Sequence, residues 1–275
     1  MLKTAFCGLI YKVIKQGSVF LNTDYIKEEI MVTVKQIYKY LDEVMPFETQ
    51  ESWDNSGLLV DSGEKAEKVL CCLDVTKAAV DRAVAENCKV IVSHHPVIFS
   101  SIKSIDTDNI LFKLIQNGIS VISAHTNFDK YEKGTSAKLI EFCGIDGERE
   151  QNEYAFSVSL NNTEKFDDFF SKVKENTKIN LQFVKSKENI TKVFVVAGSG
   201  KGMTEEIVAA GCDCVVTGES SYHDMLDLKE LGISTICLGH DESEKISVAT
   251  FAELISAQFG VETVVFTEDS LVNYI

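Results

Sequence analysis

The sequence predicts an α/β fold made of two similar, duplicated halves, and three observations predict it. The stretch "KVLCCLDVTKAAVDRAVAENCKVIVSHHP" from Lys68 aligns without a gap to "KVFVVAGSGKGMTEEIVAAGCDCVVTGESSYHD" from Lys192, with Cys88 matched to Cys212 at the same offset. The strands in both copies are nearly continuous runs of Val, Ile and Cys, the pattern of strands buried on both faces of a parallel sheet. They alternate with amphipathic helical stretches, the β-α-β order that joins parallel neighbours through a right-handed crossover. A duplication of this length speaks to architecture and only indirectly to function.

Taken in order, residues 1 to 30 fit neither copy and read as an N-terminal extension, with Met31 a second candidate start. The first half spans 31–148 and opens with a helix from Thr33 to Pro46. Its repeat contributes a strand at 69–73, a helix at 77–87 and a strand at 89–93. A helical run ending in Gly118, as helix C-termini often do, then leads into the strand of "NGISVISAH". The second half spans 149–275. It opens strand, helix, strand over 150–190 ("AFSVSLNN", "EKFDDFFSKVKENT", "NLQFVKS"), then repeats strand 193–197, helix 203–211 and strand 213–217. The strand of "LGISTICLGH" follows Gly232.

Composition removes several classes of function. A formal charge of −15, with Arg82 and Arg149 the only arginines, argues against a nucleic-acid surface, because phosphate contacts need clustered Lys and Arg. No apolar run approaches the roughly 20 residues that span a bilayer, so no membrane association is expected. Lys12 and Lys15 interrupt the apolar N-terminal patch, and no small-residue cleavage site follows it, so no secretion signal is read. Of the eight cysteines, Cys71, Cys72, Cys88, Cys212, Cys214 and Cys237 lie in strand-like runs without CxxC spacing. They read as small apolar filler in a reducing, cytoplasmic setting.

The chemistry gathers where strands end. In parallel α/β sheets functional groups collect beyond the carboxyl ends of the strands. His94 and His95 follow one strand, His125 and Asp129 the next, Glu219 and His223 a third, and His240 and Glu244 a fourth. Adjacent side chains at a strand end diverge, so His94 and His95 can each serve a different ion. His240 and Glu244, four apart, share one face of a helical turn. Imidazole and carboxylate at this spacing suit a divalent transition metal, and a carboxylate can bridge two. Asp129, four after His125, can complete one ion's shell. Singly, each of these residues would be an ordinary cap or polar loop group; their convergence from both halves is what points to a metal centre. "WDNSGLLV", with Trp53, Asp54 and Asn55, reads either as a polar lip over this site or as an exposed turn. "GSGKG" at 198–202 has the glycines of a phosphate-cradling loop but neither the GxxxxGKS/T nor the GxGxxG pattern.

In this order, "WDNSGLLV", "SHHPVIF", "AHTNFD", "TGESSYHD" and "GHDESE" resemble the proteins known as GTP cyclohydrolase I type 2 homologues, also called Ngg-interacting-factor-three-like. The resemblance runs from Met31 to the C-terminus. It implies two similar α/β domains, a metal site at their interface holding two divalent ions (Zn, Fe, Mn or Ni), and a toroidal homohexamer. Carried over motif by motif, it makes His95 and Asp129 ligands of one ion, His94 and His240 ligands of the other, and Glu244 the bridge. His125, Glu219 and His223 become candidates for orienting ligands or moving protons. The segment between the copies leaves no room for the extra domain of larger relatives, and Glu219 stands where others may carry Asp.

The expected function is therefore a dinuclear metal-dependent hydrolase that directs water at a purine nucleotide or similar small substrate. Two alternatives stay open on the sequence: a non-catalytic hexameric metal-binding scaffold or regulatory protein, and a metal-dependent phosphoesterase. With two arginines, triphosphate binding would fall to lysines such as Lys201, to backbone N–H groups or to the ions.

Overall fold

A computed structural model of the chain describes residues 32–63 and 65–272; the expected extension at 1–30 lies outside the described residues. Thirteen strands occur among these: β1 (Val32–Thr33), β2 (Gly57–Val60), β3 (Lys65–Ala66), β4 (Lys68–Cys72), β5 (Val90–Ser93), β6 (Ser120–Ser123), β7 (Gly147–Asn152), β8 (Ala155–Lys165), β9 (Gln182–Val184), β10 (Asn189–Ser199), β11 (Cys214–Glu219), β12 (Ser234–Cys237) and β13 (Glu262–Phe266). Apart from the small β1-β3 pair they form two sheets, ordered β13-β4-β5-β6-β2 and β7-β8-β10-β11-β12-β9.

The two sheets repeat one pattern. β4, β5 and β6 are parallel, with β2 antiparallel beyond β6; β10, β11 and β12 are parallel, with β9 antiparallel beyond β12. This is the expected duplicated α/β class. Both faces of each sheet are buried, because alternate residues serve opposite cores. Val69 and Cys71 pack with the helices Val34–Val44 and Val248–Phe259 through Ile37, Leu41, Phe251 and Ile255. Leu70 and Cys72 face the helices Lys77–Ala85 and Ile110–Gln116. The seven described cysteines are free and buried, and desolvation raises the Cys71 and Cys214 thiols far above their ordinary range, so they behave as filler.

The expected division at 148/149 does not follow the sheets. The helix Thr135–Cys143 packs its Leu139, Ile140 and Cys143 against the second sheet. Near the C-terminus the chain returns to the first, where β13 pairs in parallel with β4. Hydrophobic surface drives both crossings: each element carries an apolar face that matches the sheet it joins. Five strands escaped the sequence reading: the short β1 and β3, β2 inside "GLLV", β7, which forms a hairpin with β8, and β13. The return crossing matters for function. The helix His240–Glu244 leaves the second sheet, and the helix Val248–Phe259 that follows packs on the first, so Glu244 is carried between them. No helix among the described residues is long and apolar enough to cross a membrane.

Candidate metal centre

Four histidine rings converge at the carboxyl ends of the parallel strands. His94 lies 5.0 Å from His95 and 5.2 Å from His125, centroid to centroid, and His95 lies 5.7 Å from His240. His94 is fully buried, backed by the Phe128 ring at 5.8 Å, and Phe128 is held in turn by Phe251 at 4.3 Å. Glu244, 5% exposed, sits among the rings: its Oε1 is 3.8 Å from His94 Nε2, while its Oε2 is 3.0 Å from His95 Nε2 and 3.2 Å from His240 Nε2. Asp129 Oδ1 is 3.6 Å from His94 Nε2 and accepts a 2.5 Å hydrogen bond from Thr135.

The neighbours differ from the pairing the resemblance implied: in this structure Asp129 stands beside His94, and His240 beside Glu244 and His95. The two oxygens of Glu244 face the two groups separately, as a bridge requires. Candidate ligand atoms lie within 4.8 Å of one another in two sets, His94 with His95 and His125, and His95 with His240 and Glu244.

Behind each ring stands an acceptor that fixes it. His94 Nδ1 donates to the Ala124 carbonyl at 2.9 Å. The other three rings each place Nδ1 against a carboxylate: His95 on Asp74 at 2.8 Å, His125 on Asp54 at 2.9 Å and His240 on Glu219 at 3.0 Å. A proton held at Nδ1 leaves Nε2 facing the cluster, the arrangement in which an outer carboxylate orients a metal-binding imidazole. Glu219, expected near the site as an acid or base, is placed as the orienting partner of His240. His223, another expected proton carrier, is not brought to the cluster; it is exposed at the start of the helix Tyr222–Glu230, its ring beside that of Tyr222. Asp74 went unremarked in the sequence although it follows β4, next to the strand that carries His95. The strand order was the missing signal.

The donor set fits a cation. Two buried polar atoms, His94 Nε2 and Glu244 Oε2, have no hydrogen-bond partner; Oε2 is close to two imidazoles without the alignment of a hydrogen bond. Buried unpaired groups of this kind are costly and call for an explanation. The backbone makes room for them. Gly198, at φ +62°, passes so close that a Cβ would lie 2.1 Å from Glu244 Oε1. Ser243 fastens the two together, accepting from the Gly198 N–H at 2.9 Å and donating to the His240 carbonyl at 2.7 Å. The GSGKG turn thus serves Glu244, and the helix after it, Thr204–Ala209, is short.

Charge tells the same story. Burial disfavours a charged His95, but Asp74 and Glu244 outweigh it and push its pKa up to about 10. Glu244 likewise lifts His240, against burial, to about 9. Burial also opposes ionisation of Glu244, yet the surrounding histidines hold its carboxyl well below the usual carboxylate range. Bound protons thus supply the positive charge this cluster requires, and a metal must displace them. The raised histidines stabilise the chelator-stripped fold fully below their unfolded pKa of about 6.5 and lose that contribution as pH rises through 9 to 10. The melting temperature of stripped protein, followed by calorimetry, is therefore expected to fall from pH 7 to pH 10. Apparent metal affinity is expected to rise over the same range by about tenfold per pH unit for each histidine that sheds a proton.

A cavity of about 390 Å³ adjoins the cluster, lined by His125, Asp129, His240 and Glu244 and also by Trp53, Tyr154 and Lys201. Of the "WDNS" segment, Trp53 lines this cavity, while Asp54 is buried behind His125. Trp53 is 59% exposed and 6.0 Å from His125, Asn55 Nδ2 donates to the Ile98 carbonyl at 2.6 Å, and Ser56 Oγ accepts from the His125 N–H at 3.0 Å.

Residues 32–270 match the family model described as Duf34/NIF3 (NGG1p interacting factor 3). A Helicobacter pylori protein named GTP cyclohydrolase 1 type 2 is 37% identical over 234 residues, covering 82% of this chain and 92% of its own length. The Saccharomyces cerevisiae protein named NGG1-interacting factor 3 is 31% identical over 256 residues, covering 78% of this chain and 88% of its own. Among solved structures, a Staphylococcus aureus hypothetical protein superposes with a TM-score of 0.80 at 24% identity, covering 89% of this chain and 99% of its own, which supports the fold.

Proposed function

The chain belongs to the Duf34/NIF3 family, and on that premise we propose that it is a hydrolase dependent on two divalent ions, acting on a small anionic substrate of the nucleotide type. The observation that carries the proposal is the cluster itself: four imidazoles and two carboxylates around two buried, unpartnered donor atoms, opening on a cavity that bears a lysine and an exposed indole. His94 and Asp129 would hold one ion, His95 and His240 the other, with Glu244 spanning both. Mixed imidazole and carboxylate donors suit Zn, Fe, Mn or Ni. Bound there, such ions would supply Lewis-acid polarisation of the substrate and a water of lowered pKa.

The protein's own groups do the rest. His125 keeps its Nδ1 proton against Asp54 and presents Nε2 to the cluster, where it can accept a proton or return one to a leaving nitrogen or oxygen. Lys201 attracts an anionic tail, and Trp53 offers a flat face to a planar ring. The name of the Helicobacter pylori relative supports guanine nucleotide as the first substrate to test; opening its purine ring requires water attack at an electrophilic ring carbon followed by C–N cleavage. A homohexamer in the cytoplasm completes the reading, supported by an exposed apolar stretch with Phe99, Ile102 and Ile105.

Elemental analysis of purified protein is expected to find about two divalent ions per chain, with GTP turnover that chelation abolishes and metal restores. Absence of bound metal would overturn the proposal. Two ions with no turnover of GTP or of simple phosphoesters would leave a metal-binding scaffold in its place.

A further inference from the structure

Tyr154, on the wall of the cavity beside the cluster, is held from both ends. Its hydroxyl donates to Glu51 Oε1 at 2.9 Å, and its carbonyl accepts from the Ser136 hydroxyl at 2.5 Å. Glu51 is anchored in turn. The same oxygen accepts from Lys130 Nζ at 2.6 Å, and the Glu51 N–H donates at 2.9 Å to the Thr126 hydroxyl, which itself donates to Asp54. Ser136 Oγ accepts from the Ala197 N–H at 3.0 Å. The Lys130 ammonium stands over the Tyr154 ring, 5.2 Å from its centroid. Burial, and then the Glu51 carboxylate, raise the phenol above its ordinary value, so the hydroxyl keeps the proton it donates.

The backbone that presents this ring is itself constrained. Tyr154 lies in the two-residue turn between β7 and β8, where Asn152 pairs with Ala155. Glu153 beside it is at φ +49°, a left-handed conformation that glycine adopts more readily, and Gln151 Nε2 secures the turn by donating to the Lys130 and Glu153 carbonyls at 2.9 and 3.1 Å. Strained turns persist only where the surroundings over-determine them, and they gather at ligand sites. Among the described residues, the Tyr154 ring packs into neither sheet's apolar core, so core packing does not account for its anchoring. We propose that Tyr154 is the platform on which a planar ring of the substrate stacks, held in place beforehand by Glu51, so that the cavity selects an aromatic heterocycle and not merely an anion. The inference rests on the substrate reading above and deepens it. Lys201 and bound ions would take any phosphate, whereas a fixed phenol face favours a flat, polarisable partner. A ring ordered before the ligand arrives need not be ordered by it, which strengthens binding severalfold.

The test compares GMP with ribose 5-phosphate, which share the phosphate and differ by the base, each titrated calorimetrically into metal-loaded protein. Wild type is expected to bind GMP more tightly by about tenfold or more. Tyr154→Leu keeps bulk but removes the ring, and is expected to cut that ratio by about tenfold. Tyr154→Phe keeps the ring and loses the tether to Glu51, and is expected to cut it by about threefold. Affinity for ribose 5-phosphate and metal content are expected to stay at wild-type values in both variants, which a general loosening of the site would not allow. A wild-type ratio near one, a ratio unchanged in Tyr154→Leu, or equal weakening of both ligands would overturn the platform while leaving the hydrolase reading standing. GMP binding that depends on the Tyr154 ring, without turnover of GTP or phosphoesters, would support the platform and overturn the hydrolase reading. Failure of metal-loaded wild type to bind either ligand would overturn both.

Discussion

Glu244→Gln is expected to empty the centre of metal and abolish turnover while the chain still folds. The carboxylate is 5% exposed and is the one group whose two oxygens reach toward both halves of the cluster, Oε1 toward His94 and Oε2 toward His95 and His240. An amide replaces one oxygen with an NH2 that donates, and it carries no charge, so it cannot span two cations. Removing even an orienting partner of a metal ligand typically costs about 10- to 100-fold in affinity, and losing the bridge is expected to cost at least the upper figure. The stripped protein should suffer as well, because protonated His95 and His240 lose the carboxylate that stabilises them. Breaking a buried charge pair costs about 3 kcal/mol or more, partly relieved here as the histidines release their protons. Elemental analysis and a thermal melt on the same preparation check both. Full metal retention in a folded Glu244→Gln protein would refute the bridging role.

What the sequence made legible and what it hid have separate physical causes. The repeat placed the strands, because apolar runs buried on both faces look alike in both copies, and the strand ends then placed His94, His95, His125, Asp129, His240 and Glu244. Which imidazole goes with which carboxylate was not legible. The His94 and His95 rings lie only 5.0 Å apart at one strand end, and which of them meets Asp129 depends on how the neighbouring strands and loops pack around them. Nor was the home of β13: "ETVVF" would bury equally well in either sheet, and only tertiary packing sends it beside β4. Asp74, Asp54 and Glu219 look like turn and cap residues in sequence, and they gain meaning only as hydrogen-bond acceptors for rings that come from other strands. His223 failed for a related reason. Its ring stands exposed beside Tyr222 in the first turn of the helix Tyr222–Glu230, a direction only the folded chain shows.

Asp54→Asn separates the two roles still open to His125, proton carrier or third ligand. The Asp54 side chain is fully buried and saturated: Oδ1 accepts from His125 Nδ1 at 2.9 Å and from the Asn55 N–H at 2.7 Å, and Oδ2 from the Thr126 N–H at 3.0 Å and the Ser56 and Thr126 hydroxyls at 3.0 and 2.5 Å. Burial opposes its ionisation, but the bonds from His125 and Thr126 prevail and hold it well below the usual carboxylate range. Its contribution to stability is present above the unfolded value near 3.9 and disappears only as pH falls through the lower folded value. An asparagine must aim its NH2 one way or the other. Turned toward His125, it sets a donor against the Asn55 N–H, makes Nδ1 an acceptor and moves the ring proton to Nε2, the wrong tautomer for a base facing the cluster. Turned toward Thr126, it sets a donor against the Thr126 N–H; either way one backbone N–H loses its acceptor, at a cost of about 1–3 kcal/mol. The first orientation sacrifices catalysis, so kcat is expected to fall by about a hundredfold or more with metal content unchanged. A kcat within threefold of wild type would remove His125 from proton transfer. A fall in metal content that tracks the fall in kcat would instead make His125 a ligand of the His94 group, with Asp54 the carboxylate that orients it.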